Sequence, residues 1–440
     1  MKKIYLLAFS TLITAISIKA QSPCATGRYA SDTFTNVTTT SNVVYGSNLS
    51  WSGGTTSLKM DIYQPTGDVD TARPLIIWAH GGSFQGGTST DGDVVALSQA
   101  FAKKGYVCAS INYRLGFFPL DSVNAIKAVL RAVQDMKASI RFFYKDKLTA
   151  NTYKIDTNNI FIGGSSAGAI TALQTAYLNK SCEINYYVTP TVLTSLGGME
   201  GYSGNQCYST KVKGVINLCG ALGRYGWLEA GDVPFCSMHG TDDATVLYNR
   251  GMVNPGVPLL LLDGSRMLKE QANAVGINNP LYTWYGQDHV PYAASAAYMD
   301  TTIKFVRDYL VTRLGCTDPA LMPQNAPAQT ATLYNYTVCT THVLMTCASP
   351  GFVGISELTN TNVIGSVFPN PSDNEMVIEF ANSNTSHKVE LFDIAGKLMS
   401  SESTEQATFN IKKNNLASGL YFLKVTTKNG ESTTQKVMFN

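Results

Sequence analysis

The stretch 159-NIFIGGSSAGAITAL-173 reads as a buried strand, a knot of small residues and the opening of a helix. Within it, Gly164-Ser165-Ser166-Ala167-Gly168 fits the pattern G-x-S-x-G, with Ser166 at the centre. Small neighbours let a strand and the following helix approach closely. A sharp turn there lifts the central hydroxyl clear of the sheet, where a base can reach it. Taken alone, the same residues fit a glycine-rich helix cap equally well, with Ser165 or Ser166 as the N-cap. The rest of the chain has to separate the two readings.

From about Leu58 to Leu314, runs of strand character alternate with helical patterns. The former include PLIIWAHGG, YVCASINYRL, NIFIGGSS, VKGVINLCG, PFCSMHG and LYTWYG. They are nearly continuous in apolar character, as strands covered on both faces are. Between them lie segments such as SVNAIKAVLRAVQDMKASIRFF, with apolar residues every three to four positions. This alternation predicts an α/β fold: a doubly wound, mostly parallel sheet with helices on both sides.

At 440 residues the chain exceeds one compact core. The opening MKKIYLLAFSTLITAISIKAQS, two lysines before a short apolar run, fits a secretory signal peptide over 1–20. The α/β domain is expected over 21–317. CTDPALMPQNAPAQTATLYN then opens a linker over 318–365. Short alternating strands with the turn signals DIAGK and KNGES make 366–440 a small β-sandwich without a cluster of catalytic residue types. A formal net charge of +2 and no dense Lys/Arg run argue against nucleic acid as a partner. No later run is long and apolar enough for a transmembrane segment.

All nine cysteines follow the expected signal peptide, so an exported chain can hold disulfides. Cys182 with Cys207, and Cys339 with Cys347, are the candidate local pairs, and Cys108, in an apolar strand, is the candidate free thiol. No Cys/His cluster has zinc spacing, so no metal site is expected.

A serine hydroxyl is a poor nucleophile unless a base takes its proton. Of five histidines, His342 and His387 fall in the linker and the β module. His80 lies in WAHGGSF and His239 in SMHGTDD. His289, in YGQDHVPY just beyond the last strand, is placed to hang over the strand that carries Ser166. An acid must orient the imidazole; Asp243, after the penultimate strand, is the candidate, with its neighbour Asp242 and Asp288, beside His289, as rivals. The order Ser166, Asp243, His289 is that of an α/β-hydrolase triad. The loop HGGSF offers the backbone N–H groups of Gly82 and Ser83 as an oxyanion hole, together with that of Ala167. His80 is expected to shape this loop.

Together, HGGSFQGG, INYRLGFF, GGSSAGA, HGTDDATV and GQDHVPY resemble the carboxylesterase/lipase families of α/β hydrolases over roughly 58–315. The form H-G-T-x-D-x-x-V implies Asp243 as the acid and leaves Asp242 in the variable slot. Ser83 stands where these families commonly have a third glycine, and Arg114 in INYRLG is expected to be a structural ion-pair partner. VFPNPSDN, DIAGK, LASGLYFLKV and QKVMFN resemble the sorting domain of type IX secretion in Bacteroidetes. That resemblance implies export through the periplasm to the exterior or cell surface, with the secretion machinery as partner.

The expected function is that of a secreted serine carboxylic-ester hydrolase with an ester substrate and no cofactor. A serine peptidase of the same fold, an acyltransferase and a non-catalytic adhesion protein are the alternatives. Phe84, Phe117, Phe118, Tyr202, Tyr225 and Trp227 are candidates to line its pocket, and 186–211 is a candidate lid.

Overall fold

Each central strand presents one side chain to each face of the sheet in turn, and its neighbours on both sides are apolar. In Arg73–Ala79 (β3), Leu75, Ile77 and Ala79 join one hydrophobic core, while Ile76 and Trp78 join the other. Cys108 in Val107–Ile111 (β4) and Phe161 in Ile155–Ser165 (β5) likewise face away from their strand neighbours. Two covered faces explain why the strands read as unbroken apolar runs.

The computed structural model describes residues 24, 27–316, 331–337, 363–381, 385–393, 396–428 and 432–440. The expected signal peptide, His342, Cys339 and Cys347 lie outside the described residues. The chain divides into two units, Met1–Ala348 and Ser349–Asn440.

In the first unit the strands in chain order begin with Val37–Leu49 (β1) and Thr55–Pro65 (β2). After β3, β4 and β5 come Gly214–Leu218 (β6), Ala221–Leu222 (β7), Phe235–Gly240 (β8), Arg250–Val253 (β9), Leu260–Gly264 (β10) and Leu281–Trp284 (β11). The main sheet has eight strands in the order β1-β2-β4-β3-β5-β6-β8-β11. β1 pairs antiparallel with β2, and β2 with β4. From β4 to β11 every pairing is parallel. β7, β10 and β9 form a separate small antiparallel sheet.

Gly92–Lys103 (α1), Ser122–Leu148 (α2) and Ala167–Tyr177 (α3) follow β3, β4 and β5. Ser181–Asn185 (α4) and Pro190–Ser195 (α5) precede β6, and Ser265–Val275 (α6) precedes β11. Pro291–Ala294 (α7) and Ala296–Arg313 (α8) close the unit. Apolar residues of α1 and α8 fill one core; those of α2, α3 and α6 fill the other. The expected doubly wound architecture is the observed one, with an antiparallel hairpin added at one edge.

A disulfide joins Cys24 to Cys316 across 292 residues of sequence. Cys182 and Cys207 are each held in a disulfide. Cys108, as expected, is a free and buried thiol, and so are Cys219 and Cys236. The stretch assigned to the linker needs correction. Leu333, Tyr334 and Tyr336 pack against the first unit's core, and the Tyr334 hydroxyl donates to Asp263 Oδ2 at 2.6 Å. Residues 331–337 therefore belong with the first unit, because their aromatic rings find apolar cover there.

The second unit contains Ile364–Phe368 (β12), Glu375–Phe380 (β13), His387–Phe392 (β14), Leu398–Thr404 (β15), Thr408–Lys412 (β16), Gly419–Thr427 (β17) and Ser432–Phe439 (β18). They form two antiparallel sheets, β12-β13-β16 and β15-β14-β17-β18, which share one hydrophobic core. This is the expected β-sandwich.

Candidate active site

β5 ends at Ser165 and α3 starts at Ala167, so Ser166 alone makes the bend. Its φ is +55° and its ψ is −116°, a conformation a residue with a Cβ adopts only under constraint. The constraint is close packing beneath it. A Cβ on Gly168 would lie 2.0 Å from the Ala79 carbonyl oxygen, and one on Gly164 would lie 2.5 Å from the same atom. Glycine at both positions is what lets α3 leave the sheet directly over β3.

The two serines then diverge. Ser165 is buried, and its hydroxyl meets the Tyr292 phenol at 2.7 Å; Tyr292 in turn donates to the Leu218 carbonyl at 3.3 Å. Ser166 Oγ faces the other way and lies 2.7 Å from His289 Nε2. His289 Nδ1 lies 2.7 Å from Asp243 Oδ2. A carboxylate only accepts, so Nδ1 carries the proton and Nε2 is left to accept the serine O–H. Three residues spread over 124 positions of sequence thus form one hydrogen-bonded chain at the C-terminal ends of parallel strands.

Asp243 is fixed independently of His289. Its Oδ1 accepts from the N–H groups of Thr245 at 3.0 Å and Val246 at 2.8 Å. His239 Nε2 approaches Oδ2 at 3.2 Å while donating to the Val246 carbonyl at 2.8 Å. Burial raises the Asp243 pKa, but the hydrogen bonds to His239 and His289 outweigh it and hold the carboxyl well below the usual range. The rival acids are elsewhere. Asp242 accepts from Thr241 Oγ1 at 2.8 Å at the surface. Asp288 accepts from the backbone N–H groups of Ala244 at 3.0 Å and His289 at 2.7 Å.

The HGGSF loop passes beside Ser166. Gly82 has φ +103°, and a Cβ on it would lie 2.2 Å from the Gly86 carbonyl oxygen. Ser83 takes a φ of +55° where a third glycine is common. Among the described residues, the N–H groups of Gly82, Ser83 and Ala167 donate to no other group. His80 supports the loop from behind: its ring stacks on Tyr113 with centroids 4.4 Å apart, and Nδ1 donates to the Gly81 carbonyl at 2.7 Å. Burial lowers its pKa and keeps it neutral.

Of the aromatic residues expected near the site, Phe84 and Phe117 line the cavity at Ser166. Phe118 and Tyr202 are exposed, and Tyr225 and Trp227 are buried away from that cavity. Arg114 is the structural partner expected of it, with Nε 2.9 Å from Asp135 Oδ1. The same network reaches the candidate lid. Arg114 Nη2 donates to Ser203 Oγ at 3.1 Å, and Gln134 Nε2 donates to the Gly198 carbonyl at 2.7 Å. Ser203 Oγ also donates to Asp135 Oδ1 at 2.6 Å, so these bonds tie 198–203 down onto α2 and the Arg114 loop.

Cys219, Asp243 and His289 offer ligand atoms within 4.8 Å of one another. The set does not suit a cation: Asp243 and His289 are bonded to each other, and burial pushes the Cys219 thiol up to about 12, leaving it protonated. Sequence reasoning missed His239 as the second neighbour of Asp243. Its signal was present, since positions 239 and 243 flank one tight turn. Nothing local pointed to Tyr292 as the partner of Ser165.

Comparison with known proteins identifies both parts of the chain. Residues 60–223 match the BD-FAE family model, and residues 366–440 match the secretion system C-terminal sorting domain. The first unit carries an α/β-hydrolase domain of the BD-FAE esterase family. The second is a sorting domain of type IX secretion, which marks a secreted or cell-surface protein. Gly82, Ser83, Ser166 and Ala167 lie within the matched residues; Asp243 and His289 lie beyond them.

Among curated relatives, the neuroligin-like protein glit-1 of Caenorhabditis elegans is 29% identical over 114 residues, covering 26% of this chain and 15% of that protein. Gut esterase 1 of Caenorhabditis briggsae is 26% identical over 122 residues, covering 28% and 21%. The chain thus spans about a fifth or less of the length of these relatives. Among solved structures, the apo form of Thermogutta terrifontis esterase 2 is 20% identical, with a TM-score of 0.46, covering 66% of this chain and 98% of that one. The same enzyme phosphorylated by paraoxon gives 20% identity and 0.46, covering 62% and 94%. Among the described residues, no helix is long and apolar enough to cross a membrane.

Proposed function

We propose that this protein is a secreted serine hydrolase of carboxylic esters that works through an acyl-enzyme on Ser166. The observation that carries the reading is the unbroken chain Ser166 Oγ, His289 Nε2, His289 Nδ1, Asp243 Oδ2, with both contacts at 2.7 Å. His289 takes the Ser166 proton as Oγ attacks the ester carbonyl carbon. Asp243 holds the ring and stabilises the imidazolium. The N–H groups of Gly82, Ser83 and Ala167 stabilise the negative charge that develops on the carbonyl oxygen. His289 then protonates the departing alkoxide, so the alcohol leaves and the acyl group stays on Ser166. Water, deprotonated by His289, attacks the acyl-enzyme and releases the carboxylic acid.

The test is hydrolysis of p-nitrophenyl esters by the purified protein, with labelling by a serine-reactive phosphonate. The expected result is turnover and a single label on Ser166; no turnover and no label overturns the reading in favour of a non-catalytic protein. Offering one acyl group as both ester and amide separates an esterase from a peptidase, and adding a second alcohol reveals acyl transfer to it.

A further inference from the structure

Behind Ser166 lies a cavity of about 20 Å³ lined by Ser83, Ala167, Phe117, Val246, Ile170 and Leu260, among others. A second cavity, of about 30 Å³, is lined by apolar residues that include Leu262, Leu178 and Trp227. Ile170 and Leu260 line both. Ile170 sits one helical turn beyond Ser166, its N–H donating to the Ser166 carbonyl at 2.9 Å. Leu260 opens β10 on the opposite side. Both are nearly buried, at 2% and 7% exposure. A space needs roughly 10–15 Å³ to hold one water-sized group, so each cavity takes one or two such groups.

We propose that the first cavity is the acyl pocket, that it selects esters of short unbranched acids, and that Ile170 and Leu260 are the partition that sets acyl length. This rests on the proposed ester-hydrolase reading. The assignment to the acyl half follows from where the leaving group must be. His289 protonates the leaving oxygen, so the alcohol half lies on the His289 side. His289 does not line the cavity, whereas Ser166 and two of the oxyanion-hole residues do. The acyl chain is the half that remains to enter it. Its length is then limited by the two side chains that separate this space from the inner cavity, which is apolar and large enough to continue the chain. Acetyl and propionyl groups fit the outer cavity; longer chains meet Ile170 and Leu260.

The experiment is kcat/KM for p-nitrophenyl acetate, butyrate, hexanoate and octanoate. The wild type should favour acetate, with kcat/KM falling from butyrate to octanoate. Leu260→Ala removes the partition from the β10 side and joins the cavities. Each newly buried methylene is worth about fourfold, so the octanoate-to-acetate ratio should rise by about tenfold or more. Leu262→Ala deletes the same atoms two residues further along β10 but touches only the inner cavity, and it should keep the wild-type profile. Ile170→Val trims the partition from the helix side with little risk to folding, and it should shift the profile in the same direction by a smaller factor. The inference is overturned if the wild type prefers octanoate, if folded Leu260→Ala and Ile170→Val both keep the wild-type profile, or if Leu262→Ala shifts it as far as Leu260→Ala. Absence of any ester turnover, with no phosphonate label on Ser166, would instead overturn the hydrolase reading itself.

Discussion

Asp243 Oδ2 is shared by two imidazoles: His289 Nδ1 lies 2.7 Å away on one side and His239 Nε2 lies 3.2 Å away on the other. Its second oxygen is occupied by two backbone N–H groups. Among the described residues neither Asp242 nor Asp288 contacts a ring nitrogen; both bind hydroxyl or backbone donors. Asp243→Asn should therefore lower turnover by up to about 10⁴, through loss of imidazole orientation. Asp242→Asn and Asp288→Asn should stay within about tenfold of wild type, since neither removes a group from the chain that serves Ser166. Measuring the three side by side at one pH checks this, and a near-normal Asp243→Asn would sink the triad assignment.

The same carboxylate contributes to stability with a definite sign. Its folded-state pKa is depressed because the two histidines outweigh the upward push of burial. A depressed carboxylate stabilises the fold fully above its unfolded value of about 4, and the contribution is lost as pH falls through the folded value. The difference in melting temperature between wild type and Asp243→Asn should thus be largest near neutral pH and shrink below about pH 4. Thermal unfolding across that range is the measurement, and a gap that widens on acidification contradicts the sign.

Ser166→Ala should abolish ester turnover and phosphonate labelling while leaving the fold intact. Ser165→Ala should keep most activity but lose the bond to Tyr292 at 2.7 Å. One buried hydrogen bond is worth about 1 kcal/mol, so a small drop in melting temperature is expected. Activity that follows Ser165 instead would reverse the assignment.

Asp263 is buried, and its Oδ2 accepts from the Tyr334 hydroxyl at 2.6 Å and the Tyr225 N–H at 2.7 Å. Tyr334→Phe should destabilise the first unit by about 1–3 kcal/mol, because a buried carboxylate oxygen loses a donor. Ester turnover should persist, since 331–337 hold none of the proposed catalytic groups. Urea unfolding together with an activity assay at low denaturant tests both halves.

His387, in the sorting domain, is fully buried and stacked on Phe380 with centroids 4.0 Å apart. Among the described residues neither ring nitrogen has a hydrogen-bond partner, and burial lowers the pKa. The folded state then disfavours the proton that the unfolded chain accepts below about pH 6.5. Stability of this unit should fall as pH drops through that value. His387→Phe should be relatively more stable at about pH 5 than at about pH 8. Hydrogen exchange of β14 and β17 amides in the full chain measures it; an unchanged pH dependence refutes it.

The sequence by itself determined the doubly wound sheet, the elbow at Ser166, the chain order of Ser166, Asp243 and His289, and the all-β second unit. Each rests on short-range sterics or periodicity: glycines where a helix crosses a strand, apolar runs where both faces are covered, alternation where one is. The β1–β2 hairpin was not legible because β1, VTTTSNVVYGSNL, is largely exposed and has no clean alternation. β15, LMSSEST, faces solvent along nearly its whole length and left no apolar signal either. Tertiary structure alone decided that Ser165 meets Tyr292 across 127 residues, that Tyr334 meets Asp263 across 71, and that Asp243 serves two rings. It also decided that Ile170 and Leu260 share two cavities. These contacts join distant parts of the chain, and no local pattern constrains them. They follow from which side chains the packed sheet and helices bring within hydrogen-bond or van der Waals reach.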